Sequence, residues 1–364
     1  MERRDVLIAM GGLGMAATPA VAAWARVTPA EAGFVPDLAE RLAARLGDGG
    51  LPDIHSVLVA RGGKLVLEHY GAGRDDAWGR DLGVVRFGPE VLHDVRSVSK
   101  SVVGLLYGIA LGRGLVPGPE AGLLAQFPEY GDLAGDPGRA GITVRHALDM
   151  TMGTDWDEMS VPYSDPRNSE IAMEMAADRL RFVLGGRMVQ APGRGWTYCG
   201  GAVAVIGALI ARGARMSLEA FAAEALFGPL GIARFEWARG ADGVVSAASG
   251  LRLLPRDLLR IGQVMLEGGA GVVPKGWVEA SMMPAVPAMD GLGYGRFWYM
   301  GEGPVLGAAR RWAAGFGNGG QRLWVMPSLG LTVAITAGRY NQRDQWVAPT
   351  KIWREIVLAG VVRA

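Results

Sequence analysis

The hydrophobic positions of this chain fall into strand-like runs near its two ends and helix-like spacing between them. Residues 34–48 (FVPDLAERLAARLGD) carry apolar side chains at helical spacing. A β-rich run, Ser56–Ala60 (SVLVA), follows, then Arg61-Gly62-Gly63-Lys64, then Leu65–Tyr70 (LVLEHY). This predicts a hairpin over His55–Tyr70, because the two glycines sit where a tight reversal needs positive φ. The middle has helical segments: from Ser97 through the 100s, Val144–Met150, Glu170–Leu184, Val203–Arg212, and Ser217–Phe227 closed by Gly228-Pro229. Arg256–Glu267 adds an amphipathic helix with a broad apolar face. Strand-like runs return in Gln321–Met326 (QRLWVM) and Leu331–Thr336 (LTVAIT), joined by a turn at Pro327–Gly330. A last helix is expected near Thr350–Leu358.

Neither hairpin is a stable sheet alone. The expected fold is therefore α+β: one antiparallel sheet built from both chain ends, flanked by helices, with a helical domain inserted between them. The sheet part is placed at about 34–90 and 285–364 and the mostly helical part at about 91–284, within a domain spanning 23–364. A cleft is expected at the boundary of the two parts, where sites usually lie.

Charge and cysteine content narrow the function. A formal net charge of +1 gives no electrostatic case for nucleic acid as a partner. Cys199 is the only cysteine, which excludes an intramolecular disulfide and any cysteine-cluster metal centre. His55, His69, His93 and His146 show no metal-ligand spacing and are given structural roles; no metal or cofactor is expected. The first 22 residues read as a Tat-type export signal: Arg3-Arg4, an apolar Gly- and Ala-rich stretch to Ala17, then Ala20-Val21-Ala22 as a cleavage pattern. The expected location is periplasmic or secreted in a bacterium, with no stable membrane association once the signal is removed.

Three segments carry candidate chemistry. Ser97-Val98-Ser99-Lys100 opens an apolar helix, so Ser97 and Lys100 share a face and the helix N-terminus points its free N–H groups at Ser97. A serine beside a base is the layout of an activated nucleophile, and desolvation of Lys100 would lower its pKa toward that of a base. Tyr198, between the Pro192-Gly193 turn and the helix that follows, can project a phenol into the cleft as a base or proton shuttle. Gly315-Phe316-Gly317-Asn318-Gly319-Gly320 matches G-x-G-x-x-G literally, but a β-type run follows it, so a dinucleotide-binding oxidoreductase is set aside. A glycine-rich strand that a ligand approaches closely, and that offers an N–H to an oxyanion, is the better reading.

In this order and spacing the three segments resemble the serine β-lactamase and penicillin-binding-protein superfamily, and within it the class C β-lactamase-related branch of carboxylesterases and 6-aminohexanoate-dimer hydrolases. Ile142–Met152 (ITVRHALDMTM) and Ser249–Gln263 (SGLRLLPRDLLRIGQ) resemble supporting stretches of the same family. The resemblance implies Ser97 as the acylated serine, Lys100 and Tyr198 as its proton partners, and the N–H groups of Ser97 and Asn318 as the oxyanion hole. It places Gly315-Phe316-Gly317 on the Lys/His-Thr-Gly triplet and Gly200 on the asparagine of Tyr-x-Asn. Both positions depart from the family. A side-chain amide is missing at Gly200, and a cation for a substrate carboxylate is missing at Gly315. Tyr163 falls where the oligomer hydrolases place a tyrosine toward substrate. The implied activity is hydrolysis of a small-molecule ester or linear amide through a Ser97 acyl-enzyme. The alternatives are a class C-like β-lactamase or D-Ala-D-Ala peptidase, and an acylated penicillin-binding sensor without turnover.

Overall fold

A computed structural model describes residues 24–364, so the expected export segment lies outside the described residues. Helix α1 (Leu38–Gly47) leads into strands β1 (Ile54–Arg61) and β2 (Lys64–Tyr70), joined through Gly62 at φ 56° and Gly63 at φ 73°. The positive φ values at both turn centres explain why two glycines stand there. A second hairpin, β3 (Ala72–Ala77) and β4 (Arg80–Arg86), precedes the two-residue strand β5 (His93–Asp94). Helix α2 (Val98–Gly112) follows at once. The helical region then runs through α3 (Gly200–Ala214), and two short strands, β6 (Phe235–Trp237) and β7 (Leu251–Leu253), come before helix α4 (Pro255–Leu266). The chain returns as β8 (Val286–Pro287), β9 (Gly293–Gly295), β10 (Trp298–Val305), β11 (Ala308–Gly317), β12 (Gln321–Met326) and β13 (Leu331–Ala337). Helix α5 (Val347–Lys351) continues into a wider turn over Ile352–Leu358.

The main sheet has the order β2-β1-β13-β12-β11-β10-β9-β8, and β1 pairs antiparallel with β13 through Val57↔Ile335 and Val59↔Val333. One antiparallel sheet is thus made from both ends of the chain, as the sequence pattern predicts. Its two faces are both covered. Leu58 and Ala60 join a core with α2, α3 and α4, while Val57 and Val59 join one with α1 and Ile352–Leu358. Burial on both faces is why β1 has no alternating polar positions. Each large side chain so buried contributes about 1.5–3 kcal/mol.

Two predicted elements differ. The helix expected over Glu170–Leu184 is two helices, Ser169–Met175 and Arg179–Leu184. Ala176 has extended backbone (ψ 140°), and the Asp178 side chain caps the second helix by accepting from the Arg181 N–H at 2.9 Å. The segment Ser217–Phe227 is helical, but its α-turns give way to a wider turn at Ala223–Phe227.

Candidate active site

The site is built around the turn that joins β5 to α2. Arg96 sits there at φ 48°, a left-handed conformation that costs a non-glycine residue about 1–3 kcal/mol. Its surroundings hold it. The guanidinium pairs with Asp76 and, at 3.3 Å, with Asp94, and it stacks 4.6 Å from the Tyr340 ring centroid. The Val95 N–H donates to Leu251 O at 3.0 Å and the Leu251 N–H donates to Ser99 Oγ at 3.3 Å, tying the turn to β7. Ser97 therefore occupies the N-cap position of α2, with only 8% of its surface exposed.

One turn further on, Lys100 is fully buried. Its Nζ donates to Ser97 Oγ at 2.9 Å and to Ala248 O at 3.1 Å. Tyr198, just before α3, is in polar contact with both Ser97 and Lys100, and Lys100 Nζ lies 4.8 Å from its ring centroid. The hydroxyl, amine and phenol named from sequence are thus brought together from two distant parts of the chain.

Two residues missing from the sequence reading stand behind them. Glu158 Oε1 lies 3.5 Å from Lys100 Nζ, and Glu170 Oε2 lies 3.8 Å from it. Glu158 accepts from the Gly200 N–H at 2.6 Å, from Trp156 Nε1 at 2.8 Å and from the Tyr163 hydroxyl at 3.1 Å. Glu170 accepts from Ser249 Oγ through its other oxygen. These acids reverse the expected electrostatics of Lys100. Burial pulls its pKa down, but Glu170, Tyr198 and Glu158 outweigh burial and leave it above the ordinary lysine value. Lys100 is an ammonium in the resting site, not the free amine that desolvation alone implies. Tyr198 is also raised: burial dominates and Lys100 offsets it only in part. Tyr163 donates its hydroxyl inward to Glu158, and burial pushes its own titration far up.

The glycine-rich segment is a β-hairpin: β11 ends at Gly317 and β12 begins at Gln321, with no helix after it. A dinucleotide fingerprint needs that helix. Packing explains the glycine at 315, since a Cβ there would lie 2.9 Å from both Ser101 Oγ and Val98 Cγ1 of α2. Any side chain at this point requires Ser101 or Val98 to shift. Gly317 lies against the Ser97 turn, where a Cβ would meet Val95 O at 2.6 Å. Phe316 points the other way, onto Tyr299 at 4.8 Å between ring centroids. The buried guanidinium of Arg322 lies 4.7 Å from the Phe316 ring centroid, and it donates to the carbonyls of Gly317 at 3.2 Å and Gln321 at 2.8 Å. Arg322 thereby fixes the backbone that carries Asn318, whose side chain is held by Asn341 at 3.1 Å. Arg322 is a cation beside this strand that the sequence reading does not place, but it is buried and turned to backbone carbonyls.

The histidines form no catalytic pair with Ser97. His55 Nδ1 and His93 Nε2 share a hydrogen bond at 2.8 Å, with Asp75 3.7 Å from His93. Burial holds both rings neutral, with pKa values of about 3 for His55 and about 4 for His93. Arg252, 3.6 Å from Asp75, already supplies the counter-charge that a cation would bring. Concavities of about 430 Å³ and about 530 Å³ lie elsewhere, the first beside Arg145 and Arg296, the second beside Leu218 and Val244.

A Ser-x-x-Lys helix set end-on against a glycine-rich strand of an antiparallel sheet defines a hydrolase of the β-lactamase and penicillin-binding-protein class. The Beta-lactamase family model matches residues 38–352, so the chain belongs to that family. It is 27% identical over 319 residues to the 6-aminohexanoate-dimer hydrolase of Paenarthrobacter ureafaciens, covering 80% of this chain and 73% of the relative. Among solved structures, a Bacillus anthracis protein provisionally named a 6-aminohexanoate-dimer hydrolase superposes with a TM-score of 0.71 at 14% identity, covering 92% of this chain and 87% of the other. EstCE1, a hydrolase with promiscuous acyltransferase activity, gives a TM-score of 0.68 at 16% identity, covering 90% and 99%. The two superpositions establish the fold.

Proposed function

We propose that the chain hydrolyses a small ester or linear amide through an acyl-enzyme on Ser97. One observation carries this reading: the 2.9 Å contact between Lys100 Nζ and Ser97 Oγ, in a buried site that Tyr198 also enters. Ser97 Oγ attacks the substrate carbonyl while Lys100 and Tyr198 handle protons, and water then resolves the ester. The N–H groups of Ser97 and Asn318 are assigned to the tetrahedral oxyanion, where each donor is worth about 10²–10³ in rate. The crowding at Gly315 argues for substrates without the carboxylate that a lysine there would hold. Esters and linear amides are thus preferred over cephalosporins. Export through residues 1–22 completes the proposal.

Mass-located labelling by a fluorophosphonate, compared between wild type and Ser97→Ala, tests the nucleophile. Label is expected on Ser97 and absent from the variant; label persisting on Ser97→Ala overturns the assignment. A short-chain nitrophenyl ester set against a chromogenic cephalosporin tests the substrate class, and turnover of the cephalosporin alone reverses the preference. Cell fractionation tests export, which fails if the protein stays in the cytoplasm.

A further inference from the structure

The acyl-transfer reading leaves two buried carboxyls without a task. Glu158 and Glu170 are 2% and 0% exposed, and they are in contact with each other behind Lys100. Glu158 is the anchored member, held by the Gly200 N–H, Trp156 and Tyr163. Glu170 is held only at one oxygen, by Ser249. Its Oε2 is buried with no hydrogen-bond partner among the described residues, and it faces Lys100 Nζ at 3.8 Å. The space for this pair exists because residue 200 is glycine. A Cβ there would lie 3.0 Å from Glu158 Oε2 and 3.2 Å from Glu170 Cδ. The missing asparagine is thus replaced in volume by two acids.

The charges around the pair do not balance. Among the described residues, Lys100 on α2 is the one cation touching it, while Tyr163, Tyr198 and Cys199 face it as neutral groups. Glu174, on the same short helix as Glu170, is matched to Arg179 at 3.3 Å, which is in turn paired with Asp242 at 2.5 Å. Two carboxylates against one ammonium leave an excess negative charge out of water, and such a site takes up a proton.

We propose that Glu170 is the proton acceptor for attack by Ser97, acting through Lys100. This rests on the reading of Ser97 as nucleophile. As Ser97 Oγ bonds to the carbonyl carbon, its O–H breaks and the proton passes to Nζ. A different Nζ proton passes to Glu170 Oε2, so Lys100 is an ammonium before and after. When the adduct collapses, Glu170 returns its proton to Lys100, which releases one through Tyr198 to the departing oxygen or nitrogen. Glu158 stays charged and keeps Lys100 in place. Glu170 must be ionised to accept. Burial, opposed by Lys100 and reinforced by Glu158, keeps it protonated well above the usual carboxyl range. Attack therefore speeds up as pH rises through its titration.

The rate at which a fluorophosphonate labels Ser97, followed by mass across pH, isolates the accepting step because fluoride leaves without a proton. Wild type is expected to climb with pH. Glu170→Gln, which copies the neutral side chain, is expected to be about 10²-fold slower and flat with pH. For ester hydrolysis the same variant lowers kcat and leaves KM unchanged. Glu170→Asp is expected to label slowly but keep the climb, which a purely structural role would not produce. Labelling of Glu170→Gln at the wild-type rate with the wild-type profile overturns the proposal and leaves the Ser97 reading intact. Wild-type label on any residue other than Ser97 overturns the underlying reading instead. If Glu170→Gln does not fold, the Asp variant decides: a profile superimposable on wild type in rate and pH rejects the role.

Discussion

Two buried charge clusters flank the turn that presents Ser97, and they differ in the cation that holds them. On the β5 side, every acid has a guanidinium close by. Asp94 lies 3.0 Å from Arg252 and 3.3 Å from Arg96, Asp75 lies 3.6 Å from Arg252, and Asp76 pairs with Arg96. Arginine stays charged and binds carboxylates through several donors at once, so these acids are held by cations that do not pass a proton on. On the α2 side, two carboxyls share one lysine, and that lysine also touches Ser97. A guanidinium holds its acids in place, whereas an ammonium can hand a proton from one partner to another. Ser97 sits where the arginine-held half meets the lysine-held half.

Removing the central cation from each cluster separates these roles. Lys100→Met is expected to show the largest effect: turnover falls by at least about 10³-fold, since it removes the group that touches Ser97. It also leaves two acids facing each other, and they absorb the loss by protonating. Arg252→Met leaves Asp75 without a guanidinium and Asp94 with Arg96 alone, and it is expected to cost about 3–5 kcal/mol of stability in chemical denaturation. The molecules that remain folded should turn over within about tenfold of wild type. If Arg252→Met removes activity as completely as Lys100→Met without loss of stability, the division between the clusters is wrong.

A separate effect is in pH. His55 and His93 are neutral when folded, with values depressed to about 3 and about 4 from 6.5. The unfolded chain binds more protons than the folded one between those limits. Their contribution to stability is therefore complete above about pH 6.5 and lost as pH falls toward 4, by up to about 1.4 kcal/mol per pH unit for each ring. Thermal melts across this range check it, and a melting temperature that is flat from pH 7 to 5 contradicts it. Glu170 acts in the opposite direction. Its raised value makes stability fall as pH rises through its titration, in the same range where attack is expected to quicken.

The parts of the fold that were legible in sequence are those with local causes. Strand β1 shows as a continuous apolar run because both its faces are buried. The Ser97–Lys100 pair shows because a three-residue step on a helix forces contact. Hairpin β3–β4 stays hidden: residues such as Arg74, Arg80 and Asp81 are exposed, and its one fully buried side chain, Asp75, is polar, so no apolar alternation marks it. The acids behind Lys100 were hidden for a different reason. Glu158 lies in a polar loop and Glu170 in the first turn of a short helix, where acids ordinarily serve the helix dipole in water. Only the closing of that loop over Lys100 buries them. Without them, the sequence shows only a lysine whose pKa burial lowers. Arg322 is hidden in the same way, since only strand pairing sets it beside Phe316.

The fit of the acid pair around residue 200 couples the two positions. Restoring asparagine there must displace a carboxyl group that already fills the space, so Gly200→Asn alone should be harmful in this background. The same substitution becomes acceptable only after Glu158 has been replaced by something shorter. The two positions are therefore expected to be non-additive in a double-mutant cycle, with Gly200→Asn better tolerated beside a shortened residue 158.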